Sequence, residues 1–169
     1  MKAEKISLES AKQDKLFYFI ANVVVVRAAD MRCLILKRDM REKVHPGRYG
    51  VTGGKLEWAD MDITNPMRMN GDVIDFPDAV ERLLARETME EAGVKIGSKI
   101  KYINSVAFIR PDGIPCILVK FAAEYVSGEV ALEKDSFTDY AWVNEAEADK
   151  YDCIEGIKDE VAAAIKAFK

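Results

Sequence analysis

Three glutamates lie close together near the end of a predicted helix: Glu87, Glu90 and Glu91. An α-helix turns about 100° per residue, so all three share one face with the apolar residues Leu83 and Leu84. Carboxylates in the last turn of a helix also oppose its dipole, at a cost of about 0.3–1 kcal/mol each. Hard oxygen ligands clustered in this way suit Mg²⁺ or Mn²⁺, so the pattern indicates a metal site that reaches phosphate oxygens.

An exposed acidic face is the alternative interpretation, because charged residues near a helix end are commonly solvated. The rest of the helix favours the metal site. Glu81, Arg82 and Thr88 already supply a polar side, so the three glutamates are not needed for that purpose. Arg86 can pair with Glu90 four residues later, but one arginine cannot balance three carboxylates.

Residues at both ends of the predicted helix fix its limits, and a pair of glycines lies upstream of it. Asp78 is the predicted N-cap, Glu81 three residues later resembles a capping box, and Gly93 ends the helix. Upstream, Gly53 and Gly54 lie between two short predicted strands, where their backbone can approach a ligand closely. The sequence therefore predicts a helix with an acidic end beside a glycine loop.

Segments rich in valine, isoleucine, leucine and aromatic residues predict strands on both sides of this helix. The predicted strands are residues 17–28, 32–37, 49–52, 55–58, 101–110, 116–125 and 140–143. The first two are separated by a short turn and form a hairpin. Residues 59–76 lack periodicity and predict a long surface loop, and residues 154–168 carry an apolar stripe that predicts a C-terminal helix.

Length and charge limit the classes of protein. A chain of 169 residues fits one domain, and we assign residues 1–15 to an N-terminal extension and residues 16–169 to that domain. The formal net charge of −4 argues against a nucleic-acid partner, which would require a basic surface. An anionic ligand would then need a cation to mediate its binding.

No membrane partner or disulfide framework is expected. The apolar run 16–26 is interrupted by Asn22 and is too short to cross a bilayer. Cys33, Cys116 and Cys153 are odd in number and widely spaced, which argues against disulfides and against a zinc site. These features predict a protein of the reducing cytoplasm.

Two segments together resemble the signature of the Nudix hydrolases, the MutT-like family. That signature runs G, five residues, E, seven residues, and then R-E-U-x-E-E-x-G-U, in which U is aliphatic. The matching segments here are Gly53-Gly54-Lys55-Leu56-Glu57 and Arg86-Glu87-x-x-Glu90-Glu91-x-Gly93-Val94. The resemblance covers roughly residues 17–168 and implies the α/β class, with a Nudix-type α/β/α sandwich around a mixed β-sheet.

The match departs from the signature at two positions. Thr88 stands where an aliphatic residue is usual. The leading acid is Asp78 when counted back from Arg86, but Asp60 when counted forward from Gly54. About 18 residues, the difference between positions 60 and 78, are therefore inserted, and residues 59–77 form the inserted loop. As a hypothesis, this loop encloses substrate, because it joins the two halves of the site.

The resemblance also implies roles for individual residues. The carbonyl of Gly53 would join Glu87, Glu90 and Glu91 in holding the metal, and Arg86 would orient a glutamate. Either Glu87 or Glu91 would act as the general base. The loop residues Gly54, Lys55 and Glu57 are expected to face substrate. A further acid can come from a loop before the late aromatic strand, where Glu133 and Asp135 lie.

The expected function is that of a metal-dependent hydrolase that cleaves a phosphoanhydride in a nucleoside diphosphate linked to another moiety. A nucleoside triphosphate or a nucleotide sugar would be its substrate. Homodimers are common in the family that the sequence resembles, and the sequence itself leaves the oligomeric state open. The alternative is a non-catalytic, ligand-sensing Nudix domain that binds a nucleotide-type metabolite. The complete glutamate cluster argues against that alternative, because a binder does not require it. The absence of basic tracts disfavours an RNA-processing role.

Overall fold

The computed structural model describes residues 3–169. The strands are β1 (Tyr18–Arg27), β2 (Arg32–Arg38), β3 (Tyr49–Gly50), β4 (Thr52–Lys55), β5 (Arg68–Asn70), β6 (Val73–Asp75), β7 (Lys95–Ile109), β8 (Pro115–Ser127) and β9 (Phe137–Val143). The α-helices are α1 (Ala79–Ala92), α2 (Glu145–Ala148) and α3 (Ile157–Phe168). Of the predicted N-terminal extension, residues 1–2 lie outside the described range, and the rest contains one 3₁₀ turn with no buried residue, Gln13–Lys15.

Seven strands form one mixed sheet with β1 and β8 at its centre. These two strands run parallel, and β7 pairs antiparallel with the other edge of β8. The free edge of β1 pairs with β4 along its first half and with β2 at its end, so the predicted β1–β2 hairpin is confirmed. Strands β3 and β9 both pair with β2.

The two long helices cover opposite faces of this sheet. Successive side chains of a strand point to opposite faces, and β1 uses both. Ala21 and Val23 lie in one apolar cluster with Leu84 of α1, whereas Val24 lies in another with Val161 of α3. Odd-numbered residues of β1 therefore face α1 and even-numbered residues face α3. This arrangement confirms the predicted α/β/α sandwich.

The glycine pair lies inside a strand and not between two strands, which corrects the prediction from sequence. In β4, Gly53 is opposite Asn22 and Gly54 is opposite Ala21 of β1. Backbone groups alone make the hydrogen bonds of such a ladder, so the glycines do not interrupt it. The second predicted strand is replaced by the 3₁₀ turn Trp58–Asp60.

The predicted loop 59–76 is also more structured than expected. It contains the antiparallel hairpin β5–β6, in which Arg68 pairs with Asp75 at 2.5 Å. Gly71 opens the turn of this hairpin with φ +60°, a backbone conformation that glycine adopts without steric cost. The two residues of the turn, Gly71-Asp72, are a hairpin signal in the sequence that the missing periodicity concealed.

Both long helices begin differently from the prediction. Asp78 occupies the N-cap position of α1 with φ +55°, but its side chain makes no capping hydrogen bond, so the predicted capping box is absent. Helix α3 begins at Ile157 and not at residue 154, because the Ile154 N–H donates to Tyr49 of β3 instead. In residues 3–169 no helix is both long and apolar enough to span a bilayer.

Candidate active site

Two glutamates of α1 reach β4 where the glycine pair lies. Glu91 Oε2 accepts a hydrogen bond of 3.0 Å from the backbone N–H of Gly53. A Cβ at Gly54 would lie 2.4 Å from the carboxyl carbon of Glu87, and a Cβ at Gly53 would lie 2.4 Å from the carbonyl oxygen of Ala21. Both distances are far inside van der Waals contact, so glycine at position 54 leaves room for the Glu87 carboxylate, and glycine at position 53 leaves room for the backbone of β1.

Arg86 is held by three carboxylates. Its guanidinium lies 3.0 Å from an oxygen of each of Asp60, Glu87 and Glu90. Glu90 is the most exposed of these, with 51% of its side chain accessible, whereas only 17% of the Glu87 side chain is accessible. The guanidinium therefore fixes the direction in which the Glu87 carboxylate points.

The two candidates for the leading acidic position lie in different places. Asp60 follows the glycine strand, and its Oδ1 pairs with Arg86. Asp78 is exposed at the N-terminus of α1, where its carbonyl accepts the first helical hydrogen bond, from Arg82. The geometry thus brings Asp60, and not Asp78, to the arginine of the motif.

Thr88 lies on the buried side of α1, which corrects its assignment to the polar side. Its side chain is fully buried, and its Oγ1 is 2.9 Å from Oγ1 of Thr52 in β4. Thr52 also bonds the carbonyl of Val23. The hydroxyl of a threonine at the usual aliphatic position is therefore hydrogen-bonded by a second threonine. The pair joins α1 to β4 at the residue that precedes Gly53.

Burial changes the protonation of the site. It raises the pKa of Glu91 to about 8, and the charges of Glu87 and Glu133 add to the increase, while the Gly53 N–H acts in the opposite direction. Burial also raises the pKa of Glu87, although Arg86 lowers it. Burial is therefore the main reason that both carboxyl groups hold a proton more readily than a solvated glutamate does.

Within residues 3–169, no three acidic, histidine or cysteine side chains already converge on a point where a metal ion would fit. Protein groups hold the predicted ligands instead: Arg86 binds Glu87 and Glu90, and the Gly53 N–H binds Glu91. The donor set still fits a hard divalent cation, because such an ion favours the ionised form of buried carboxylates.

The two late loop carboxylates differ in their relation to the site. The Glu133 N–H donates to the carbonyl of Glu91 at 3.0 Å, and the Glu133 charge contributes to the raised pKa of Glu91. Asp135 pairs with Arg41 at 2.8 Å. Both side chains are exposed, and only Glu133 is adjacent to the glutamates of α1.

A cavity of about 740 Å³ adjoins this corner of the fold, and the glycine pair and Glu91 form part of its wall. Lys55, which is predicted to face substrate, also lines the cavity. Glu57, predicted for the same loop, is exposed, and its backbone N–H donates to Asp60. The lining residues in the described part of the chain include none from 59–77, so the hypothesis that this insertion encloses substrate is not supported.

Several lining residues were not predicted from sequence. Arg38 and Arg110 bring positive charge to the wall, as does Lys120. Lys120 pairs with Glu160 of α3, which is 3% exposed. Two signals were present: Lys120 interrupts an apolar strand, and Glu160 lies on the buried stripe of its helix, three residues after Ile157.

Comparison with known proteins identifies the family. Residues 18–164 match the family model described as the NUDIX domain. The match covers most of the chain, so the protein belongs to the NUDIX family, as its motif predicts. Members of this family generally use divalent metal ions, which agrees with the donor chemistry of the site.

The chain is 31% identical over 100 residues to the NAD-capped RNA hydrolase NudC of Photobacterium profundum, a match that covers 57% of this chain and 36% of that protein. It therefore spans little more than a third of that relative. A solved MutT NUDIX hydrolase from Burkholderia pseudomallei is similar with a TM-score of 0.63 and 21% identity, covering 87% of this chain and 97% of that one.

A second solved structure is the NUDIX domain of Shewanella oneidensis NrtR, complexed with ADP ribose. Its TM-score is 0.65 at 15% identity, and the match covers 96% of each chain. At these identities the two structures show a common fold. Together with the family match, these structures support a Nudix fold for this chain.

Proposed function

We propose that this protein hydrolyses a phosphoanhydride bond in a nucleoside diphosphate linked to another moiety, with a divalent metal ion as cofactor. One observation carries the proposal: Glu91 of α1 and the glycine pair of β4 line a cavity of about 740 Å³, and the Glu87 carboxylate lies against Gly54. Ligand pockets for small molecules commonly measure about 300–1,000 Å³, so the cavity is large enough for a nucleotide.

Mg²⁺ or Mn²⁺ would be held by Glu87, Glu91 and the carbonyl of Gly53, with Glu90 as a fourth ligand once it leaves Arg86. Exposure of Glu90 permits that change, since only Arg86 holds its carboxylate. When bound, the ion supplies positive charge that neutralises phosphate oxygens. Its charge would also offset the burial of the two inner carboxylates.

The side chains of this site then have separate tasks. Glu87 or Glu91 accepts a proton from the attacking water as the general base. Arg86 positions Glu87 and does not contact substrate. Lys55 and Arg110, which line the cavity, neutralise the diphosphate.

Small nucleotide substrates fit this site better than a polymer. The net charge of −4 opposes binding of RNA, and the positive lining residues lie inside a cavity. The relative named for NAD-capped RNA and the neighbour solved with ADP ribose are both connected with nucleotide-linked compounds. We therefore favour a nucleoside triphosphate, a nucleotide sugar or a dinucleotide of this kind.

A hydrolysis screen tests the proposal. The native protein, E91Q and the control E81Q are incubated with nucleoside triphosphates, ADP-ribose, NAD and nucleotide sugars in Mg²⁺ or Mn²⁺. Glu81 lies in the first turn of the same helix, so its substitution matches the loss of charge. We expect E91Q to lose about 10²- to 10⁴-fold in turnover and E81Q to retain it.

The ligand-sensing alternative makes a different prediction in the same screen. A binder would retain nucleotides with no turnover of any compound under either metal ion. Equal activity of the native protein and E91Q would instead refute the assigned role of that glutamate.

Further properties stay predictions. We expect one domain over residues 16–169 with an insertion at 59–77, a homodimer, a cytoplasmic location, and neither nucleic acid nor membrane as partner. Light scattering coupled to size exclusion measures the oligomeric state, and a monomer at micromolar concentration would contradict the dimer.

A further inference from the structure

Glu160 has one carboxylate oxygen without a partner. Its side chain is 3% exposed, and Oε1 accepts a hydrogen bond of 2.5 Å from Nζ of Lys120. Among the buried side-chain oxygen and nitrogen atoms of residues 3–169, Oε2 of Glu160 alone lacks a hydrogen bond. A buried carboxylate oxygen that is left unpaired is costly, and Glu160 lines the cavity, so a ligand there would complete Oε2 after a small turn of the side chain.

Lys120 and Glu160 line the same cavity as Gly53 and Gly54. In the sheet, Lys120 is opposite Asn22, and Asn22 is opposite Gly53, so the three residues form one row across β8, β1 and β4. Neighbouring strands lie about 4.8 Å apart, so the backbones of Lys120 and Gly53 are separated by roughly 10 Å. One nucleoside 5′-phosphate spans a distance of this order.

The surroundings of the pair are apolar. Ile20 and Leu118, two positions along their strands from the row, line the same cavity, and so do Ile154 and Ile157 around the start of α3. A flat, largely apolar ring system would bury its faces against such residues and would meet polar groups at Lys120, at Glu160 and at Asn22, which lies beside Lys120 in the row. This arrangement is typical of a specific pocket, with an apolar wall and few polar groups.

We propose that Glu160 and Lys120 recognise the edge of the base-like group of the substrate, Oε2 accepting an N–H and Nζ donating to an adjacent acceptor atom. The proposal rests on the proposed function, which places the phosphates beside Gly53 and Gly54. Amino-bearing nucleobases such as adenine and cytosine carry this pattern, and so does the carboxamide of nicotinamide. The shared chemistry is an N–H donor beside an acceptor.

A pair of ligands that differ by one group tests the proposal without any mutation. Binding of AMP and of purine riboside 5′-monophosphate, which lacks the exocyclic amine, is measured by calorimetry with the native protein. Nicotinamide mononucleotide and nicotinic acid mononucleotide form the carboxamide arm. We expect the N–H donor in one of the two arms to strengthen binding about tenfold or more. The arm that discriminates identifies the source of the donor.

The substitution E160Q reverses the hydrogen-bonding character of the pocket. The glutamine carbonyl takes the place of Oε1 opposite Lys120, so its NH₂ group faces the cavity and donates where the carboxylate accepted. We expect E160Q to lose the preference for the N–H ligand and to gain affinity for its counterpart with an acceptor, such as IMP in place of AMP. D159N, an exposed carboxylate on the same helix, is the control and should bind as the native protein does.

The outcomes separate the two proposals. Native protein that hydrolyses the panel but binds both members of each ligand pair equally would overturn the role of Glu160 and leave the hydrolase intact. Discrimination without turnover would support the pocket and refute the hydrolase. An E160Q variant with a lower melting temperature and unchanged ligand preference would show a purely structural pair, and this outcome also overturns the inference.

Discussion

Substitution of Gly54 by alanine should remove activity while the fold is kept. The added Cβ would lie 2.4 Å from the carboxyl carbon of Glu87, whereas ordinary contacts begin at 3.4 Å, so the carboxylate must move by about 1 Å. A displacement of that size at a catalytic group costs about a hundredfold in rate. Because only the end of a flexible side chain has to move, the free energy of unfolding should change by no more than about 1 kcal/mol.

The matched control is Gly97→Ala. Gly97 also lies in a strand, β7, but a Cβ there would have its nearest neighbour at 3.7 Å, the carbonyl oxygen of Glu124. Turnover is measured by chromatography of the nucleotide products, and stability by urea denaturation of both variants. Full activity of G54A at unchanged stability would refute the claim that close contact between this glycine and Glu87 positions the carboxylate.

Three further predictions concern protonation, the leading acid and the buried threonine. The folded metal-free protein keeps a proton on Glu91 that the unfolded chain releases above pH 4.5, so its free energy of unfolding should fall as the pH rises from about 4.5 to about 8. Urea denaturation in chelator should show this decrease, and E91Q should lack it. D60N, which removes a partner of Arg86, should lower turnover about tenfold, whereas D78N should leave it unchanged. T88V should destabilise the protein by about 1 kcal/mol in urea, and an equal or higher stability would contradict the role of its hydrogen bond to β4.

Local patterns predicted the elements that carry strong periodicity. The hairpin β1–β2 and helix α1 follow from runs of apolar residues at spacings of two and of three to four. The position of Glu87 and Glu91 on the inner face of α1 follows from the same spacing. These predictions hold because burial of one face dominates the energetics of such segments.

Long-range contacts explain what the sequence did not predict. Thr88 looked polar, but a threonine from a distant strand satisfies its hydroxyl. Counting residues left two choices for the leading acid, and only the folded path of the insertion brings Asp60 to Arg86. The pairing of Lys120 with Glu160 depends on α3 lying across β8, which no local pattern specifies.

The contact between Asp60 and Arg86 makes the site tolerant of changes in the length of the insertion. It ties the glycine strand to α1 ahead of the exposed hairpin β5–β6, so the catalytic corner does not depend on how many residues lie between. The closure entropy of a surface loop grows only slowly with its length. The turn at Gly71 is therefore a suitable point for a fluorescent reporter or an affinity tag. Related chains with a shorter or longer insertion at this point should have the same arrangement of α1 and β4 at the site.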